Sequence, residues 1–321
     1  MSSINEWDTL KKVIVGIADG ATIPKIDDSL RYVNYAGTDK LDQVLVGPYP
    51  EQVIREANRD LDNLAHQLTL HGIEVVRPEN TNTQYYNYCP RDVIFTYGDR
   101  ALATPMPIAA RKDDYMALKT HFKRLTVAQN YAGRSYLYNK RCVLNKDVLA
   151  LTETFPMFDA ANVLKANDHL LYLVSNSGNK KGAQYLQDWV GGDAKVHTLE
   201  GVYSYMHIDS TIAFLREGLM LLNPSRIPDK SVLPKPFCDW DAIMCPDPID
   251  MGYYPGYPNA SEWIGMNLLS IDENTVVIEE TQVPTIHLLE KHGFNVLPLR
   301  MEHSRTLSGS FHCVTLDIDR T

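Results

Sequence analysis

A handful of side chains in this sequence could do covalent chemistry, and each opens a stretch patterned like a β-hairpin. Cys313 follows Ser308-Gly309-Ser310 and begins an alternation through Val314, Leu316 and Ile318. Small residues there let the backbone approach a ligand, and the alternation is that of a half-buried strand. Cys313 therefore reads as a nucleophile at the mouth of a strand. His207 and Asp209 lie on one face at the start of the apolar run 212–215, and two polar groups are costly to bury there without a purpose. Asp159 and Asp92 each precede another such run. Together they supply a nucleophile, a general acid/base, an acid to orient it, and negative charge for a cationic substrate.

Taken singly, each residue also has a plainer explanation. A lone cysteine is commonly a small buried hydrophobe, an aspartate before a strand commonly caps a turn, and a His–Asp pair can be a satisfied buried contact. The functional reading depends on the elements that would bring them together.

Those elements recur. Residues 92–97 turn at Gly98-Asp99 into 101–104, and the run opened by Asp159 turns at Asn167-Asp168 into 170–174. The run opened by His207 turns at Glu217-Gly218 into 219–222, and 266–271 turns at Asp272-Glu273-Asn274 into 276–279. Apolar run, turn residues and apolar run in that order predict hairpins. Helical spacing from 49 to 72, stopped at His71-Gly72, leads into a strand at 73–76. The same order recurs at 285–297 and more loosely at 180–199. A fifth hairpin is half present at 313–318, and pairing it with the N-terminal strand 10–17 would complete it and close a ring. Unequal intervals between units require insertions, and the repeats predict a radial array in a single domain, 1–321. In such an array the hairpin starts converge on the axis. Segments 18–48 and 251–258 lack periodicity and read as loops, with a role as lids left open.

Composition narrows the function. The chain has 321 residues, 44% hydrophobic and 22% charged, as expected of a globular protein able to bury a substantial core. A formal charge of −9 with no basic face argues against nucleic acid as partner. No apolar stretch is long enough for a membrane span and no basic-then-apolar start is present, so a cytoplasmic location is expected. The five cysteines are scattered without a CxxC pair, which argues against a disulfide framework or a zinc site. Cys89, Cys142, Cys238 and Cys245 read as structural because none opens a hairpin.

The segments Tyr86-x-x-Cys89-Pro90-Arg91-Asp92, Met157-Phe158-Asp159-Ala160-Ala161-Asn162, Met206-His207-Ile208-Asp209, Leu222-Asn223-Pro224-Ser225-Arg226, Ala260-Ser261-Glu262-Trp263-x-x-Met266-Asn267 and Gly309-Ser310-Phe311-His312-Cys313 occur in that order. From about residue 80 to the end, the sequence resembles the glycine amidinotransferase branch of the guanidino-group-modifying enzymes. The resemblance implies an α/β fold, a five-bladed ββαβ propeller with pseudo-fivefold symmetry, closed by pairing of the N- and C-terminal strands. It implies ping-pong transfer of an amidino group from L-arginine to an acceptor amine, with Cys313 as nucleophile, His207 as acid/base, Asp159 orienting it, and no cofactor or metal. L-Ornithine would leave first. Asp92 and Asp209 would hold the guanidinium, Arg226 the substrate carboxylate, and Ser261 and Tyr86 would flank the substrate.

The sequence departs from the family pattern at Asn162, Ala260 and Ser204, where the family carries an aspartate, a serine and an asparagine. These departures point away from glycine as acceptor, and because several relatives in bacterial secondary metabolism amidinate larger amines, the resemblance implies an acceptor of that kind. Two other readings use the same residues: an arginine or agmatine deiminase, in which water attacks the thiol adduct, and a non-catalytic propeller that binds a guanidino ligand. The partners expected are small-molecule substrates, and a homodimer stays open.

Overall fold

Five times among the described residues, an antiparallel pair of strands gains a third strand in parallel. The computed structural model describes residues 2–36, 41–79, 85–134, 136–140 and 148–321. Ile94–Tyr97 pairs with Arg100–Ala103 and then Leu125–Val127; Val163–Ala166 with His169–Leu173 and then Lys195–Leu199. Ile212–Arg216 pairs with Leu219–Leu222 and then Asp241–Met244; Leu269–Ser270 with Thr275–Glu279 and then Asn295–Leu299. The remaining sheet unites the two ends of the sequence. Thr315–Arg320 runs antiparallel to Leu10–Val15, with Ile14 opposite Leu316, and Glu74–Val76 joins in parallel. The pairing expected from the half hairpin is therefore present.

Local chemistry explains where these elements start and stop. Gly98 and Gly218 take positive φ at hairpin turns, a conformation that costs glycine little, and Asn167 does the same at another. Helix Glu51–Leu70 buries Val53, Ala57, Leu61, Leu64 and Leu68 along one stripe. Lys180–Val190 and Val283–Lys291 lead in the same way into the strands that follow them.

Among the described residues the apolar side chains form five clusters, each joining sheets that follow one another. Ile14 and Leu316 meet Ile94 and Ala101, Phe95 and Leu102 meet Val163 and Leu170, and Leu164 and Leu171 meet Ile212 and Met220. Ala213 and Leu221 meet Val276 and Ile278, and Leu269 and Val277 return to Val13 and Val15.

Two expectations change. The segment 18–48 is not a plain loop: it contains the ladder Thr22–Ile23 with Gly47–Pro48, helix Asp28–Tyr32, and buried Leu30, Tyr32, Val33 and Tyr35. The last strand starts at Thr315 rather than Cys313 and is buried on both faces, because Asp317 ion-pairs with Arg91 and Arg320 where solvent was expected. Four cysteines are free thiols; Cys142 lies outside the described residues.

Candidate active site

The chemistry-bearing residues sit in the turns just before the strands. Asp92 ends the short turn Pro90–Asp92, Asp159 immediately precedes the turn Ala160–Asn162, His207 and Asp209 lie ahead of Ile212, and Cys313 lies two residues ahead of Thr315. A turn frees a side chain from the alternating directions of a strand, so adjacent units can all aim at one point. Cys313, His207, Asp209 and Ser261 line one pocket, with Asn34, Tyr203, Tyr205, Asn259, Ala260 and Ser308 among its other walls.

Cys313 Sγ donates to Asp209 Oδ2 at 3.2 Å, and the same oxygen faces His312 Nδ1 at 3.0 Å. His207 Nε2 lies 2.9 Å from Asp159 Oδ2, and its Nδ1 lies 3.8 Å from Asp92 Oδ1. His207 has φ of 64°, a strained conformation for a residue with a Cβ. Its backbone N–H donates to Ser177 Oγ at 3.2 Å, and Ser177 O accepts from Asp159 N at 2.8 Å. One serine thus fixes both members of the His–Asp pair.

These positions set the charges. Burial works against the His207 imidazolium, but Asp92, Asp159 and Asp209 outweigh it and lift the group to about 9. Burial likewise opposes ionisation of Asp209, yet His312, His207 and the Cys313 thiol hold its carboxyl well below the ordinary range. A side-chain hydrogen bond with Cys89, burial and the Asp209 carboxylate push the Cys313 thiol well up. The pocket therefore pairs a protonated thiol and a charged imidazole with carboxylates, an arrangement that favours a cationic ligand. Among the described residues, the buried oxygens Asp92 Oδ1 and Asp159 Oδ1 have no hydrogen-bond partner.

With this geometry in view, likeness to characterised proteins becomes informative. No protein-family model matches the chain. Inosamine-phosphate amidinotransferase 1 of Streptomyces griseus is 41% identical over 338 residues, covering 99% of this chain and 96% of that protein. A solved structure of inosamine-phosphate amidinotransferase from Streptomyces griseus superposes with a TM-score of 0.94 at 40% identity, covering 100% of this chain and 97% of that one. The chain belongs to the amidinotransferase family. L-Arginine:L-lysine amidinotransferase of Pseudomonas savastanoi pv. phaseolicola is 31% identical, covering 99% of this chain and 94% of that one.

In this amidinotransferase the remaining residues singled out in the sequence stand at different distances from the pocket. Arg226 lies behind its wall, with the guanidinium carbon 3.6 Å from the Tyr203 ring centroid and Nη1 donating to Ser210 and Thr211. Among the described residues, its side-chain hydrogen bonds all leave from Nη1. Tyr86 is buried outside the lining, its ring 4.8 Å from the Arg111 guanidinium. Asn162 is also away from the lining: Oδ1 accepts from Ser177 Oγ at 2.6 Å, and Nδ2 donates to Leu173 O at 2.8 Å. Ala260 is in the wall itself. Segments 18–48 and 251–258 meet where Leu45 Cδ1 would lie 2.6 Å from a Cβ on Gly256, and just beyond their ends Asn259 Nδ2 donates to Tyr49 Oη at 3.0 Å and the Tyr49 and Tyr257 rings lie 5.1 Å apart.

Several residues of the site were not singled out in the sequence. Arg111 ion-pairs with Asp92 and Asp114 and donates to Cys89 O at 3.0 Å. Asn267 Oδ1 accepts from the backbone N–H groups of both His312 and Cys313 at 3.1 Å. His312 lies between Asp209 and Glu6, whose carboxyl stays near 2 despite burial because Lys165, His312 and Arg91 surround it. Asn267 and His312 stood inside recognisable motifs, but only their position in the fold shows what they hold.

Proposed function

We propose that the protein transfers the amidino group of L-arginine to an acceptor amine through an amidino-cysteine on Cys313. Arginine's guanidinium would enter among Asp209, Asp92 and His207, where the paired oxygens of a carboxylate suit its planar fork. Its positive charge compensates the carboxylates around the thiol, so binding the donor promotes loss of the thiol proton to pocket solvent, and the thiolate so formed attacks the guanidinium carbon. His207 then protonates the nitrogen that leaves as ornithine, and Asp159 steadies the ring. In the second half-reaction His207 takes a proton from the acceptor amine. The amine attacks the amidino carbon, and the adduct collapses by expelling Cys313 as thiolate. Arg226 binds the α-carboxylate of arginine, and Ser261 and Tyr86 support the substrate directly or through the pocket wall.

The observation that carries this reading is the grouping of Cys313, His207 and Asp209 in one pocket with Asp159 behind the imidazole, in a chain of amidinotransferase ancestry. The five sheets and the clusters that link each to the next support a single five-bladed propeller domain. We take the acceptor to be an amine of secondary metabolism rather than glycine, and the enzyme to be cytoplasmic. Relatives are named for inosamine phosphate and for lysine, and Ala260 leaves the wall smaller and less polar than a serine would.

Incubation with arginine and no acceptor, followed by intact-mass measurement and amino acid analysis, tests the reading. One amidino group on the protein, about one equivalent of ornithine by the one-to-one stoichiometry of a covalent half-reaction, and loss of both in Cys313→Ala are expected. Continuous release of citrulline and ammonia would show instead that water is the second substrate.

A further inference from the structure

The backbone places a second thiol beside the first. Cys89 and Cys313 are both buried and free, and both border the same small space beside Gly309. The segments carrying them are tied together on both sides. Tyr88 Oη donates to Gly309 O at 3.2 Å, and Arg91 Nε donates to His312 O at 2.6 Å. Gly309 keeps the space between them open, since a Cβ there would lie within 3.2 Å of both Cys89 Sγ and Cys313 Cβ. Of the two cysteines, only Cys313 lines the pocket.

We propose that Cys89 and Cys313 are the two halves of a reversible disulfide, formed when a hydroperoxide reaches the pocket, which silences the nucleophile and spares it from irreversible oxidation. The Cys313 thiolate attacks the peroxide, the O–O bond breaks, and Cys313 becomes a sulfenic acid as the alcohol departs, or water when the oxidant is hydrogen peroxide. Cys89 sulfur then attacks the sulfenic sulfur. The S–S bond forms, the S–O bond breaks, and oxygen leaves as water with the proton from Cys89. Two thiols lose two hydrogens, and the peroxide takes up both electrons. Without a resolving thiol the sulfenic acid proceeds to the sulfinic acid, which ordinary thiols do not reduce. Burial pushes the Cys89 thiol up, which keeps it inert towards pocket ligands until its neighbour is oxidised.

The disulfide does not depend on the amidino-transfer reading; only its effect on turnover does. The full-length protein, treated with graded hydrogen peroxide and quenched by alkylation, is expected to lose the mass of two hydrogens and give a Cys89–Cys313 cross-linked peptide. Activity should disappear in step and return with dithiothreitol. Cys89→Ser and Cys89→Ala, each compared with its own untreated activity, should gain two oxygens on Cys313 at the same peroxide dose and fail to recover with dithiothreitol. Oxygen accumulating on Cys313 of the unsubstituted protein with no cross-link would overturn the proposal, as would full recovery of either variant. A cross-link forming in a reduced protein that never transferred amidino groups would leave the disulfide standing and defeat the functional reading alone.

Discussion

Asp209 Oδ2 is shared between the Cys313 thiol, 3.2 Å away, and His312 Nδ1, 3.0 Å away. The carboxylate that would receive a guanidinium is thus also one of the groups that keep the thiol protonated, after the Cys89 contact and burial. In the proposed reaction, donor binding and nucleophile activation are the same electrostatic event.

Asp209→Asn should therefore separate two properties that usually fall together. Removing the negative charge should lower the thiol's pKa, and alkylation by uncharged iodoacetamide at neutral pH should speed up about tenfold, the equivalent of one pKa unit. Amidino transfer should fall, because the guanidinium loses its partner. An alkylation rate that dropped along with turnover would contradict the assignment.

His207 carries a pH signature. Its folded value of about 9 lies above the ordinary 6.5, so its stabilising contribution is complete below about 6.5 and disappears as pH rises through about 9. Urea unfolding between pH 6 and 10 should show that loss, and Asp159→Asn should shrink it and shift it to lower pH. The same substitution should reduce turnover by about 10²- to 10⁴-fold, the usual range for general acid–base catalysis.

Asn267 makes a purely geometric test. Asn267→Ala leaves the backbone N–H groups of His312 and Cys313 without their side-chain acceptor, at a cost of about 1–3 kcal/mol. A lower urea midpoint is expected together with a fall in the rate of amidino-cysteine formation, measured in single turnover. Loss of stability with an unchanged rate would leave Asn267 as scaffold only.

The contact between segments 18–48 and 251–258 suggests control of acceptor entry. Replacing 251–258 by a short Gly/Ser linker should change the relative KM values of competing acceptors and leave release of ornithine from arginine intact. Unchanged acceptor selectivity would remove the lid role.

How much of this was legible in the sequence depended on how local each cause was. Hairpins announced themselves because Gly98, Asn167 and Gly218 mark turns between apolar runs, and helix Glu51–Leu70 because its apolar stripe has a single period. Segment 18–48 stayed illegible because distant partners order it: Tyr32 stacks on Tyr138 at 5.5 Å, and Asn34 Nδ2 donates to Tyr85 Oη at 2.9 Å. The last strand misled because Asp317 and Arg320 look like a solvent face until the buried Arg91 is placed against them. Within the site, Cys313, His207 and Asp209 could be found from their positions ahead of strands. Ser177 and Arg111 act through partners distant in the chain and carry no local mark, and Asn267, though inside a motif, holds groups 45 and 46 residues away that the motif does not reveal.

The antiparallel pairing of Thr315–Arg320 with Leu10–Val15 also orders events in time. During synthesis the earlier sheets can form as their strands emerge, and Leu10–Val15 can pair early with Glu74–Val76, but its antiparallel partner exists only once residues beyond Cys313 are made. Cys313 is set in place by that last pairing. A nascent chain therefore carries the imidazole and its acids, with no positioned thiol, until the strand that follows Cys313 has been made.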